Sequence, residues 1–174
     1  MTEPLHTKYR PHTFEDVYGH ESLIKALEEI IVEKRSHAFL FHGPSGCGKT
    51  TLARIVANEV GAKDEAILEI NAANFTGVDD MRQIADRMHY APMGVQTAKV
   101  VIIDEAHRLS KQAWDSLLKP IEEPPSYAYW IFCTTVLGKL PKTIMTRCAQ
   151  FKVDELDGNT IFDLLGAVVE QEKI

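Results

Sequence analysis

Along the chain, short continuous apolar runs alternate with longer stretches in which apolar residues recur every three or four positions. The first pattern marks strands buried on both faces, and the second marks amphipathic helices. The runs are Ala38–Phe41, Ala66–Ile70, Lys99–Ile103, Ala128–Cys133 and Ala149–Val153. Between them, Leu23, Leu27, Ile30 and Ile31 form one stripe from Glu21 onward, opposite a solvated face carrying Glu28, Glu29 and Lys34. A second helix runs from Lys49 and stops at Gly61, suited to a left-handed turn. Met81, Ile84, Ala85 and Met88 make a third stripe between Asp79 and His89, closed by Pro92 and Gly94.

Ser110 is placed to cap a helix whose buried face is Ala113, Trp114, Leu117, Leu118 and Ile121. Pro120 lies inside that pattern and predicts a kink or an early end. Leu140–Thr146 reads as a short proline-started helix, and Ile161, Leu164, Leu165 and Val168 imply a last helix from Asn159 to the C-terminus. The N-terminal stretch Leu5–Gly19, polar and stopped by Pro11, reads as an extended arm. Together these elements predict an α/β fold: five mostly parallel strands with helices on both faces.

Chemistry enters at His42-Gly43-Pro44-Ser45-Gly46-Cys47-Gly48-Lys49-Thr50-Thr51, which sits between the first strand and the second helix. The spacing G-x-x-x-x-G-K-T lets backbone N–H groups turn toward a phosphate chain at the positive end of a helix. Lys49 is then placed for the β- and γ-phosphates, and the Thr50 hydroxyl for a Mg²⁺ ion. The run Val100–Ile103 ends in Asp104 and Glu105. Open parallel sheets bind ligands at the carboxyl ends of their strands, so this pair is expected beside the phosphate loop. Asp104 suits metal binding, and Glu105 suits orienting the water that attacks a γ-phosphate. His107 reads as a polar residue closing the strand, because Glu105 already fills the role of base. Thr134 and Thr135 end another strand, where a β-branched residue needs no function.

Composition narrows the setting. With 174 residues, of which 45% are hydrophobic, the chain can bury the core of one domain and the start of a second. No apolar run approaches the length of a membrane span, and Met1–His6 has no basic-then-apolar signal pattern, so cytoplasmic residence is expected. Cys47, Cys133 and Cys148 fit neither a disulfide framework nor a four-thiolate zinc site. A net charge of -6 argues against an isolated high-affinity DNA binder. Arg82, Arg108 and Lys111 are candidates for DNA-backbone contact, and equally for solvated helix ends.

Taken together, Lys8-Tyr9-Arg10-Pro11 with Thr13–Val17, the phosphate loop, Ile103–His107, Leu117–Pro125, Thr134-Thr135 and Thr146-Arg147-Cys148 resemble the AAA+ ATPases, specifically their clamp-loader branch. The likeness is greatest to the gamma/tau group of bacterial DNA polymerase III, with replication factor C small subunits close behind, and covers nearly the whole chain.

The resemblance implies a phosphate-loop sheet in the order 5-1-4-3-2 over residues 1–153, with 154–174 beginning a helical lid. It further implies ATP and Mg²⁺ as ligands. Tyr9, Arg10, Pro11, Val17, Tyr18 and Gly19 match the segment folded around the adenine; Gly43, Pro44, Ser45, Gly46, Cys47, Gly48, Lys49, Thr50 and Thr51 match the phosphate loop. Thr50 and Asp104 match the metal ligands, Glu105 the water-activating carboxylate, and Thr135 the polar sensor of the γ-phosphate. Arg147 corresponds to the arginine that acts in trans on a neighbouring subunit's ATP. The implied partners are other clamp-loader subunits in a pentamer, a sliding clamp and primer-template DNA.

Three departures accompany the likeness. The family's cysteine-rich zinc insert, expected between Gly61 and the second strand, is missing, and Thr146 replaces the usual serine. The chain ends as the lid begins, so the lid arginine and the collar domain are expected to lie outside it, and hydrolysis by this piece alone is expected to be poor.

Overall fold

The computed structural model describes residues 4–74, 77–94 and 97–173. The stretch Met1–Glu3, part of the segment read for a signal pattern, and the terminal Ile174 lie outside the described residues. Five strands, β1 (Ala38–His42), β2 (Ile67–Asn71), β3 (Lys99–Asp104), β4 (Ala128–Thr134) and β5 (Ala149–Lys152), form one sheet in the order β2-β3-β4-β1-β5. Every pairing is parallel, where the sequence had predicted a mostly parallel sheet.

Successive side chains of a strand point to opposite faces, and the core divides accordingly. Ala38, Leu40, Val101, Ile103, Trp130 and Phe132 face one apolar cluster. Phe39, Phe41, Val100, Ile102, Tyr129, Ile131 and Cys133 face the other. On the first side lie α4 (Val78–Met88), through Met81, Ile84, Ala85 and Met88, and α5 (Lys111–Glu122), through Ala113, Trp114, Leu117 and Ile121. On the second lie α2 (Glu21–Val32), anchored by fully buried Leu27, and α3 (Lys49–Glu59), through Leu52, Ala53, Ile55 and Val56. Covering both faces is what makes the β3 and β4 sequences continuously apolar.

The helix ends follow from local chemistry. Ser110 Oγ accepts a 3.1 Å hydrogen bond from the Ala113 N–H, capping α5. Helix α3 stops at Gly61, whose φ of 97° lets the Ala62 N–H return to the Ala57 carbonyl. The early end allowed for at Pro120 does not occur: α5 continues to Glu122. Buried Ile121, one residue past the proline, holds the last turn against the core, and the Glu123 N–H closes it on the Lys119 carbonyl.

The N-terminal arm also departs from the extended reading. A single turn, α1 (Leu5–Lys8), and a 3₁₀ turn at Phe14–Asp16 interrupt it. The second turn forms because Asp16 accepts from the backbone N–H groups of His12 and Thr13 while Phe14 buries in the α2/α3 core. The remaining elements are a short α6 (Lys142–Met145) and α7 (Gly158–Glu172). Asp157 caps α7 by accepting from the Thr160 N–H. Among the described residues no helix is long and apolar enough to cross a membrane.

Candidate functional site

Strand register brings the polar residues to one edge. His42 of β1 is level with Thr134 of β4, and Asp104 closes β3 one step beyond the Ile103–Phe132 pair. The loop from Gly43 to Gly48 leaves β1 at that edge, with Gly46 and Gly48 at φ of 78° and 99° and Gly48 as the N-cap of α3. Glycine is needed at these turns because a Cβ disfavours left-handed backbone. At Gly43 the constraint is closeness: a Cβ there would lie 2.0 Å from the Val153 carbonyl oxygen.

Lys49 is buried, and its ammonium donates to the carbonyls of Gly43 (3.0 Å) and Pro44, which hold it inside the loop. The Thr50 hydroxyl donates to Asp104 Oδ2 at 2.8 Å, while Asp104 Oδ1 accepts from the Glu105 N–H at 2.8 Å. Glu105 itself sits in left-handed backbone at φ 51°, an uncommon conformation for a non-glycine residue. A cleft of about 520 Å³ is lined by Ser45, Gly46, Gly48, Lys49, Thr50, Thr51, Asp104, Glu105 and Thr135, together with Tyr9, Arg10 and Pro11.

A second cleft of about 450 Å³ adjoins it, sharing Tyr9, Pro11, Ser45, Gly46, Gly48 and Thr51. Its walls add Val17, Tyr18 and Cys47, all named from the sequence as site residues, and His20, Leu52, Glu155, Leu156 and Ile161, which were not, while Leu164, also not so named, lines both clefts. The period of α7 revealed Ile161 and Leu164 as apolar, but only its position over the arm makes them cleft wall. That position is tied down where the Tyr9 hydroxyl and Lys8 ammonium both reach Glu172 Oε1, at 2.7 and 2.5 Å. These donors hold the Glu172 carboxyl below its ordinary pKa. His20, the left-handed N-cap of α2, buries a ring nitrogen without a hydrogen-bond partner among the described residues.

Gly19, Gly43 and Pro44 shape the site from behind. Gly19 packs so closely on Leu156 that a Cβ would come within 2.9 Å of it, and the other two supply carbonyls or close approach. Arg147 lies outside both clefts, exposed after α6, where it pairs with Glu122 and donates to the Thr143 carbonyl. Arg82, Arg108 and Lys111 are exposed, Arg82 lying 3.6 Å from Asp79 and Arg108 4.0 Å from Glu105.

The donor set suits a hard cation. Thr50 and Asp104 converge two oxygen ligands at the mouth of an anion-binding loop, the arrangement Mg²⁺ takes when phosphates and water complete its shell. Among the described residues there is no group of three or more His, Cys, Asp or Glu side chains that could hold a metal alone.

Comparison with known proteins bears on the family and the fold. The family described as "DNA polymerase III, delta subunit" matches residues 62–157, and the "Rad17 P-loop domain" matches residues 1–91. DNA polymerase III subunit tau of Bacillus subtilis is 38% identical over 99% of this chain and 34% of its own length. That alignment runs over 194 residues, longer than the chain's 174, so the relative carries residues this chain lacks. The chain thus spans about a third of that relative. Among solved structures, a gamma-subunit-related protein of DNA polymerase III from Thermotoga maritima matches with a TM-score of 0.64 and 26% identity, covering 84% of this chain and 53% of that one. The Holliday junction branch migration motor RuvB of the same organism shares the fold, with a TM-score of 0.75 at 23% identity over 95% of this chain and 55% of that one. With two family matches each spanning more than half its residues, this chain belongs to the clamp-loader branch of the AAA+ P-loop ATPases, alongside the DNA polymerase III gamma/tau subunits.

Proposed function

We propose that this chain is the ATPase domain of a clamp-loader subunit, which couples ATP binding and hydrolysis to opening a sliding clamp and placing it on primer-template DNA. The observation that carries the proposal is the convergence of Lys49, Thr50, Asp104, Glu105 and Thr135 on one cleft within this family's fold.

In this reading residues 1–153 form the nucleotide-binding domain and 154–174 begin the lid. The adenine occupies the cleft between Tyr9, Pro11, Val17 and Tyr18 on one side and Ile161 and Leu164 on the other. The N–H groups of the Gly43–Gly48 loop take the phosphates, and Lys49 exchanges its carbonyl partners for the β- and γ-phosphate oxygens. Thr50 and Asp104 would hold Mg²⁺, which when bound would neutralise charge on the phosphates. Glu105 orients a water on the γ-phosphate and accepts its proton as the phosphorus–oxygen bond to ADP breaks. Thr135 donates a hydrogen bond to the γ-phosphate.

Arg147, outside its own cleft, serves a neighbouring subunit's site, so turnover depends on assembly. The partners are other clamp-loader subunits in a pentameric ring, a clamp and DNA, in the cytoplasm. Arg82, Arg108 and Lys111 are the exposed cations available to a phosphate backbone.

The test compares the assembled protein with its Glu105→Gln variant. Retained ATP with phosphate release lost supports the reading; undiminished release removes Glu105 from the mechanism.

A further inference from the structure

The cleft does not account for His107. Its ring is nearly buried, with the side chain 9% exposed, and it does not line the cleft. Instead it bridges two strand ends. Its Nδ1 lies 2.9 Å from Thr134 Oγ1 at the end of β4, and its Nε2 lies 3.4 Å from Glu105 Oε2 beyond the end of β3.

The protonation pattern of that bridge follows from satisfying a buried hydroxyl. Thr134 is fully buried, and its Oγ1 already accepts a 3.0 Å hydrogen bond from the Val136 N–H. The hydroxyl proton then needs an acceptor, and His107 Nδ1 is the one within reach among the described residues. A neutral ring that accepts at Nδ1 carries its proton on Nε2, the nitrogen that lies 3.4 Å from Glu105 Oε2. At 3.4 Å this is a polar contact and not a hydrogen bond, so the ring limits where the carboxylate can sit without tying up its oxygen. Arg108, 4.0 Å from the same oxygen, approaches from the exposed side and shares the restraint. The need for a restraint is visible in the backbone, where Glu105 stands in left-handed conformation at the start of the 3₁₀ turn that carries His107.

We propose that His107 is a positioning residue: fixed in one tautomer by Thr134, it aims Glu105 at the attacking water and links that aim to the β4 end, where Thr135 lines the cleft. A shift of Thr135 on engaging phosphate moves Thr134 with it, and the ring passes the movement to Glu105. The proposal rests on Glu105 being the water-activating carboxylate. It excludes His107 as the base itself, because its protonated nitrogen lies beside Glu105 and the ring lies off the cleft.

The experiment measures kcat for phosphate release and Kd for ATP on the assembled protein, with thermal melting as a check on folding. His107→Ala lowers kcat about 10- to 100-fold, the cost of a misaimed group, with Kd changed less than about twofold. His107→Gln, whose amide N–H can reach the same carboxylate, recovers most of the loss. Thr134→Val lowers kcat in the same direction, whereas Thr134→Ser does not. Equal kcat for His107→Ala and His107→Gln, whether both normal or both depressed, overturns the proposal while loss of turnover in Glu105→Gln leaves the catalytic reading standing. Full turnover by Glu105→Gln overturns both.

Discussion

The Thr50 hydroxyl donates a 2.8 Å hydrogen bond to Asp104 Oδ2, joining residues 54 positions apart in the chain. Thr50 is the second residue of α3 and Asp104 the last of β3, so the bond ties the phosphate loop to a strand across the sheet. It also holds both oxygen ligands of the proposed Mg²⁺ site together before any ligand arrives. Preorganisation of this kind lowers the ordering cost of binding.

Lys49 is the group whose removal isolates the phosphate contact. Its ammonium is held by the Gly43 and Pro44 carbonyls, within the loop that would receive the phosphates. Lys49→Ala is expected to weaken ATP about 100-fold or more, the worth of lost charge-assisted hydrogen bonds. Isothermal titration checks this, and ATP-dependent thermal stabilisation of the variant at wild-type strength would remove Lys49 from the site.

Arg147 makes a different prediction because it stands outside its own cleft, paired with Glu122. If it acts on the neighbour, Arg147→Ala leaves ATP affinity of the altered subunit unchanged. Turnover by the assembly falls about 1,000-fold or more, the usual worth of an arginine supplied in trans. Mixing it with Glu105→Gln subunits restores activity at interfaces where an intact Glu105 meets an intact Arg147. Mixtures that stay inactive place the arginine's effect within its own subunit.

Gly43 tests the loop's packing. A Cβ there would meet the Val153 carbonyl at 2.0 Å, next to the Val153 N–H to His42 carbonyl bond that leads out of β5. Gly43→Ala is expected to cost about 2 kcal/mol of stability, as overpacking does, and to weaken nucleotide binding as well. Gly46→Ala, with nothing within 4 Å of the added Cβ, meets backbone strain alone at its φ of 78°. Urea unfolding should therefore rank Gly43→Ala as the less stable of the two.

The three cysteines differ in a way alkylation can read. Burial pushes the Cys148 thiol up to about 12 and raises Cys133 well above its ordinary value. Both stay protonated and inert at pH 8, whereas Cys47 lines the nucleotide cleft. Mass spectrometry after brief iodoacetamide treatment should find label on Cys47, and MgATP should block it. The sign of the linkage is fixed by the raised values. The unfolded thiols lose protons near their ordinary pKa while the folded ones keep them, so stability from this source is complete below about 9 and declines toward about 12. Cys148→Ala should flatten that alkaline decline.

Much of the fold was readable from hydrophobic spacing. The apolar runs mark β1 to β5 to within a residue or two, and Asp104 and Glu105 could be placed beside the phosphate loop because parallel strands end at one edge. Pro120 does not end α5 early, since the burial of Ile121 outweighs one missing donor near the helix end, and the helix stops at Glu122, where the Glu122–Pro125 stretch ends the pattern. The arm misled because its turns form through Asp16 side-chain hydrogen bonds and the long-range burial of Phe14. Leu156, Ile161 and Leu164 as cleft wall, and His107 as a bridge, depend on contacts between distant segments that no local period encodes.

The central claim is tested most directly by steady-state ATPase activity of the assembled protein, with and without primer-template DNA and a candidate sliding clamp. Strong stimulation only when DNA and clamp are both present is the predicted result. Turnover indifferent to the clamp and driven by branched DNA alone would contradict it.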